Sequence, residues 1–272
     1  MRGLHPRWAS LGAAALPSLA LLVACPSEAP PPPVEAAPQA PTPAPEKAEE
    51  GGMPTGLDAT AKADWVLSQW NTLQRGEGAV AYASLQVEGR VNYVEPALFG
   101  DIKVITKGTD KAYTRVTFRG GLFAEEGYDG KQGWQRATGQ KVRALSREEL
   151  AARRGANLLW SDFRERYKSR KYASIGEVDG RPAHRLELTD DDGNRQVLYL
   201  DAKTFELIKV RSVPVGDEGA TVILFKDYRR VNGSLEPFSV RIESPEGTRE
   251  IQIFEIKRDV DVRDSQFAPP SP

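Results

Sequence analysis

The sequence predicts a mainly β domain with a few helices, built on an antiparallel sheet long enough to curve, and three observations predict it. From Tyr82 onward apolar residues recur at every second position through most of the chain. Tight turns separate these runs, at Asp129-Gly130, Asp179-Gly180, Asp192-Gly193, Asn232-Gly233 and Glu246-Gly247. Helical spacing appears in only two places, too little to cover both faces of so long a sheet. Such a sheet curls or closes on itself to protect its edges and apolar face, which leaves a concave side.

The first helix is expected from about Leu57 to Leu73, with Asp58 or Thr60 to cap it and Val66, Trp70 and Leu73 on one face. Strands follow at Leu85 and Val87, Ile102 and Val104, Val116 and Phe118, and Trp134 beyond a turn. A second helical stretch begins at Ser146, where Glu149 completes a capping box, and runs through Leu150. Beyond Gly155, the residues Leu159, Phe163 and Tyr167 offer an apolar stripe to cover a sheet. Strands then resume at Leu186-Leu188, Val197-Tyr199, Ile208-Val210, Val222-Leu224, Val240-Ile242 and Ile251-Ile253.

Residues 1–24 have the layout of a cleavable export signal. Arg2 and Arg7 precede the apolar run Leu11 to Ala24, which is shorter than the ~20 residues a spanning helix needs. The run ends in Leu22-Val23-Ala24-Cys25, which resembles the lipobox, so Cys25 is expected to be diacylated and to become the mature N-terminus. Two acyl chains give lasting attachment, each buried methylene contributing ~0.8 kcal/mol. Pro26 stands where the familiar inner-membrane retention signal resembles Asp, which makes the outer membrane the expected address, with the domain facing the periplasm. Residues 25–53 hold the lipidated cysteine and a Pro, Ala and Glu-rich tether with hardly any bulky apolar residue. Proline-rich chain favours extended polyproline II, so this tether reaches on the order of 80 Å at full stretch. Residues 54–272 form the β domain, large enough for one real core.

Composition narrows the chemistry. The 37 basic residues nearly balance 38 acidic ones, which indicates neither nucleic acid nor an anionic surface as partner. Cys25 is the only cysteine, which removes internal disulfides and multi-cysteine metal sites. Of the two histidines, His5 lies in the signal and His184 in a predicted strand. A serine triad on His184 lacks any nucleophile-elbow pattern, and strand histidines are usually structural. The Asp190-Asp191-Asp192-Gly193-Asn194 run fails the spacing of a calcium loop and reads as a hairpin turn. Glu125 and Glu126 are adjacent in a strand, face opposite ways and make no catalytic dyad. Arg153-Arg154 and Arg229-Arg230 read as solvated faces. No enzyme activity, cofactor or metal is expected.

Leu98 and Phe99, in Pro96-Ala97-Leu98-Phe99-Gly100, sit in a predicted hairpin connection where polar residues are expected. An exposed apolar tip of this kind contacts a membrane or a ligand. The rival reading folds them back on the domain or into a strand.

Several stretches together resemble the LolA/LolB-like superfamily of lipoprotein-sorting proteins, especially its lipidated members. They are Tyr128-Asp129-Gly130-Lys131-Gln132-Gly133-Trp134, Val178-Asp179-Gly180-Arg181-Pro182-Ala183-His184-Arg185-Leu186, Tyr199-Leu200-Asp201-Ala202-Lys203-Thr204, Asp227-Tyr228-Arg229-Arg230-Val231-Asn232-Gly233 and Asp264-Ser265-Gln266-Phe267. The resemblance implies an unclosed half-barrel with helices covering or plugging its concave side, and a hydrophobic cavity that takes acyl chains. LolB carries an apolar protruding loop, which keeps Leu98 and Phe99 as candidates. The LolA cavity arginine that latches the lid has no residue here matched to it.

The expected function is a membrane-anchored carrier or acceptor that holds a lipid or lipoprotein acyl group by burial, without covalent chemistry. The alternative is an envelope protein-protein interaction or structural module with a filled cavity, whose protein partner the sequence does not specify.

Overall fold

The structure, a computed structural model, describes residues 52–75, 83–94, 97–108, 111–146, 163, 167–191, 193–213, 219–245 and 247–270. The expected signal, Cys25 and all of the tether before Gly52 lie outside the described residues, as does the second helical stretch except Ser146, Phe163 and Tyr167.

One helix, α1 (Ala59–Arg75), precedes the strands. Asp58 caps it, its carboxylate accepting the backbone N–H of Ala61 at 2.8 Å. Ala63, Val66, Leu67 and Trp70 recur at helical spacing and are fully buried.

The strands are β1 (Ser84–Tyr93), β2 (Leu98–Lys107), β3 (Lys111–Phe118), β4 (Phe123–Tyr128), β5 (Gly133–Ala137) and β6 (Arg143–Ala144). They continue as β7 (Ser169–Val178), β8 (Arg181–Thr189), β9 (Arg195–Asp201), β10 (Leu207–Val213), β11 (Val222–Val231), β12 (Ser234–Ser244) and β13 (Gly247–Arg258). All join in a single antiparallel sheet in the order β6-β5-β4-β3-β2-β1-β13-β12-β11-β10-β9-β8-β7. Two meanders, β1 to β6 and β7 to β13, are therefore fused where β1 pairs with β13. The edge strands β6 and β7 are not paired to each other, so the half-barrel is unclosed. Asp179-Gly180 and Asn232-Gly233 both place two successive residues at positive φ, the requirement of the tight hairpin turn expected there.

Helix α1 lies across the inner face of the β7–β13 meander. Asp64 pairs with Arg170 of β7 at 2.5 Å, Trp65 meets Phe205 edge-on at 5.4 Å, and Trp70 meets Tyr228 at 6.2 Å. Beneath it Leu186, Leu188, Leu198, Leu200, Leu207 and Phe225 form a packed core with Phe163 and Tyr167. Burying one such side chain contributes roughly 1.5–3 kcal/mol. Met53, just ahead of the helix, joins this core.

The outer face is covered in part by the segment that follows β13. Val262 and Phe267 pack on Ile105, and Lys107 and Lys111 hold Asp264 at 2.8 and 2.7 Å, the hydrogen bonds drawing its carboxyl down to about 2.

Candidate functional site

Strand alternation sorts the side chains of the β1–β5 wing onto two faces. Register places Val87 opposite Val104, Gly89 opposite Ile102 and Tyr93 opposite Leu98, all on the face that α1 covers farther along the sheet. Val116, Phe118, Ala124 and Ala137 extend this inner face to β5 as a second apolar cluster. Ile251 of β13 packs against both clusters and makes them one continuous surface.

The two parts of that surface differ in exposure. Under α1 the apolar side chains are closed off from water. Where the meanders meet, Tyr93, Leu98, Ile102, Val104, Ile223, Ile242 and Ile251 are only half-buried although they face inward. This apolar wall is the candidate site. At its rim Arg249, itself buried, lies 5.9 Å from the ring of Tyr93. Burial pushes the Tyr93 phenol above its ordinary value, with the charge of Glu126 adding to the rise and Arg249 opposing it.

Leu98 and Phe99 stand at the start of β2, not in the hairpin connection expected for them. Being successive strand residues, they part company: Leu98 joins the inner apolar cluster, while Phe99 points outward and is 53% exposed. Sequence reasoning missed a second outward aromatic, Phe254. A β-bulge where Glu88 and Gly89 pair with Glu255 and Ile253 expels it from the pairing, and it is 56% exposed. The signal was present as the spacing of Ile251, Ile253 and Ile256, which breaks step at Phe254. Two depressions of about 450 and 410 Å³ lie on this outer face, lined respectively by Phe254 and Phe99, and both are lined by Arg90.

The residues weighed for chemistry have structural surroundings. His184 is fully buried, its Nδ1 3.2 Å from the Tyr172 hydroxyl and its ring stacked on Phe205 at 5.5 Å. Glu125 turns outward, where it binds Arg115, Arg136 and the hydroxyl of Tyr113 at 3.1, 2.5 and 2.7 Å. Its neighbour Glu126 faces the other way, across from Thr114 and Gln135. Asp190 closes the β8–β9 turn, its carboxylate accepting the backbone N–H of Asn194 at 2.8 Å. Arg229 pairs with Asp227 at 2.6 Å in solvent. Among the described residues no group of three or more acidic, histidine or cysteine side chains is placed to hold a metal, and no helix is long and apolar enough to cross a membrane.

Four of the five turn motifs that carried the resemblance meet in pairs, and the fifth bonds the start of β10. Arg181 of one motif binds Asp201 of another at 2.6 Å, and the Trp134 indole N–H donates to the carbonyl of Phe267 at 2.8 Å. The Tyr228 hydroxyl donates to the Leu207 carbonyl at 2.6 Å.

No protein-family model matches the sequence, and no curated protein is significantly similar to it. Solved structures are similar in fold. A LolA superfamily protein from Nitrosomonas europaea superposes with a TM-score of 0.54 at 15% identity, over 76% of this chain and 97% of the other. A DUF1329 family protein from Desulfovibrio piger gives 0.55 at 18% identity, over 78% and 98%. A Vibrio parahaemolyticus domain described as an outer membrane lipoprotein-sorting protein gives 0.52 at 12%, over 76% and 97%. The single open antiparallel sheet, the helix laid across its inner face and these superpositions give one conclusion: the chain has the LolA-like fold.

Proposed function

We propose that this chain is a lipoprotein of the bacterial envelope, fixed to the outer membrane by acylation of Cys25, that binds a lipid or lipoprotein acyl group on the inner wall of its half-barrel. The observation that carries the reading is the half-buried apolar wall of Tyr93, Leu98, Ile102, Val104, Ile223, Ile242 and Ile251, inside a fold shared with a domain described as lipoprotein-sorting. An acyl chain laid on that wall transfers its methylenes from water at ~0.8 kcal/mol each, which supplies affinity without a polar recognition code. Leu98 is one of the contacts. No covalent step is required, and the protein acts as carrier or acceptor.

The test uses the chain from Pro26 onward, which contains every described residue and lacks the expected acylation site and apolar leader. Native mass spectrometry with lipid extraction is expected to find bound acyl lipid, and a fluorescent fatty acid to bind and be displaced by it. Ile102→Trp and Ile242→Trp, which fill the space over the wall, are expected to abolish that binding while the domain stays folded. A folded wild-type domain that is empty and ignores added acyl ligands would overturn the reading. That outcome would favour an interaction module, the reading that the closed packing under α1 supports. Lipidation is tested separately, by the mass of the mature N-terminal peptide from the full chain and from Cys25→Ser.

A further inference from the structure

The inner wall has a direction. Register sets Leu98, Tyr93, Arg249, Ile242 and Ile223 side by side across neighbouring strands. This row lies at one rim of the half-barrel, where β1 ends, β2 opens and β12 turns into β13. The next row inward is Gly100, Val91, Ile251, Val240 and Phe225, without a polar side chain. Burial deepens along each strand away from the rim. Tyr93, Ile251, Ile242 and Ile223 are half-buried, whereas Val91, Ile253, Val240 and Phe225 are buried. At the far end α1 lies over the wall, with Trp70 against Tyr228 and Val66 and Leu67 in the core that holds Val87 and Ile256. Among the described residues the wall is therefore covered at α1 and least covered at the rim.

The rim row carries polar atoms. Arg249 stands between Tyr93 and Ile242, is 9% exposed, and holds its guanidinium 5.9 Å from the Tyr93 ring. Glu126, from the far wing, is near enough for its charge to act on the same phenol, so the rim is polar without a strong net positive field. At the α1 end Arg258, across from Leu85, is already engaged with Glu236 and Ser234. A guanidinium presents five N–H donors in a planar fork and a phenol adds another, so Arg249 and Tyr93 can hold acceptor oxygens while their contact with each other persists. An acyl lipid has an apolar tail and a head that must keep its hydrogen bonds when it leaves water. A wall that is apolar inside and carries donors at its mouth accepts such a molecule in one direction.

We propose that an acyl ligand lies along this wall with its tail toward α1 and its head at the rim, the head being an acidic oxygen group, carboxylate or phosphate, held by the Arg249 guanidinium and the Tyr93 hydroxyl. The inference rests on the inner-wall reading and adds to it a direction and a head chemistry. The apolar rows supply affinity; Arg249 and Tyr93 position the head and select it. A free acidic lipid is then a better ligand than an acyl group whose carbonyls are uncharged esters or amides.

The experiment titrates the chain from Pro26 onward with two pairs of ligands, stearate against methyl stearate and stearoyl lysophosphatidate against monostearoylglycerol. The acidic member is expected to bind about tenfold or more tighter than the uncharged one, the effect of a charge-assisted hydrogen-bonded contact. The pair with the larger preference names carboxylate or phosphate as the head. Arg249→Gln is expected to erase the preference and Arg249→Lys to keep part of it. Direction is read on the wild-type chain by NMR, with stearate carrying a nitroxide near its carboxyl or at its tail end. The first is expected to broaden the amide signals of Tyr93, Thr248 and Arg249, the second those of Val87, Ile253 and α1. Equal binding of acidic and uncharged members in both pairs, an Arg249→Gln chain that keeps the preference, or a reversed nitroxide pattern overturns this proposal and leaves the inner-wall reading standing. A folded chain that binds none of the ligands overturns both.

Discussion

The indole N–H of Trp134 in β5 donates to the backbone carbonyl of Phe267, 2.8 Å away, so the segment after the last strand is tied to the far wing of the sheet. Phe267 itself is fully buried beside Ile105 and Val262. Phe267→Ala is expected to destabilise the domain by about 3–5 kcal/mol, and Trp134→Phe, which keeps the bulk and loses the donor, by about 1 kcal/mol. Urea denaturation followed by fluorescence checks both.

The same indole explains Gly127. A Cβ at that position would lie 2.4 Å from the Trp134 Nε1, because the ring lies flat on the glycine across the strand pair. Gly127→Ala should cost about 1–3 kcal/mol by displacing the ring. Hydrogen exchange of the Trp134 indole proton should accelerate in the same variant.

Asp201 accepts the backbone N–H groups of Lys203 and Thr204 at 2.9 and 2.8 Å and binds Arg181 at 2.6 Å. Burial pushes its carboxyl up, but these hydrogen bonds and the guanidinium outweigh that effect and hold it below the ordinary carboxylate value. The unfolded chain therefore takes up the proton first on acidification. The stability Asp201 contributes is present above about pH 4 and is lost as pH falls through its lowered folded value. Asp201→Asn should destabilise by about 2 kcal/mol at neutral pH. Between pH 5 and 3 its urea midpoint should fall less than that of wild type.

Tyr113 is pushed up to about 12, by burial first and then by its hydrogen bond to Glu125 and that carboxylate's charge, with Arg115 opposing. Because the folded value exceeds the ordinary one near 10, this contribution to stability is present below about pH 10 and is lost as pH rises through 12. Glu125→Gln should move the phenol back toward 10, as read by ultraviolet difference titration.

Much of the sheet was legible because most strands pack one face on a core and so alternate. Alternation is masked in the remaining strands. In β4, read only through the adjacent Glu125 and Glu126, the sequence Phe-Ala-Glu-Glu-Gly-Tyr hides a buried position, since Glu125 is admitted to it by Arg115, Arg136 and Tyr113. In the edge strand β7 a bulge between Tyr172 and Ser174 breaks the period, and few of its side chains are buried. The Asp179-Gly180 and Asn232-Gly233 turns were legible because two successive positive φ angles demand Asn, Asp or Gly. The neighbour relation of β1 and β13 carries no local signal at all. The inner wall was also beyond the sequence, because Ile242 and Ile251 read the same whether packed closed or left half-open. Leu98 and Phe99 were conspicuous, but their assignment to opposite faces needed the start of β2.

Fusing the meanders through β1 and β13 also imposes an order on folding. Each meander is a run of hairpins between sequence neighbours and closes over short loops, whereas Leu85 finds its partner at Arg258 only after nearly the whole domain is available. Such distant pairing is slow, since loop closure is unfavourable until the contacts that reward it are made. Until β13 arrives, one side of β1 is an open row of donors and acceptors beside unpacked isoleucines, the kind of edge that sticks to other chains. The seam at the centre of the half-barrel is thus where a newly made chain is most in need of protection.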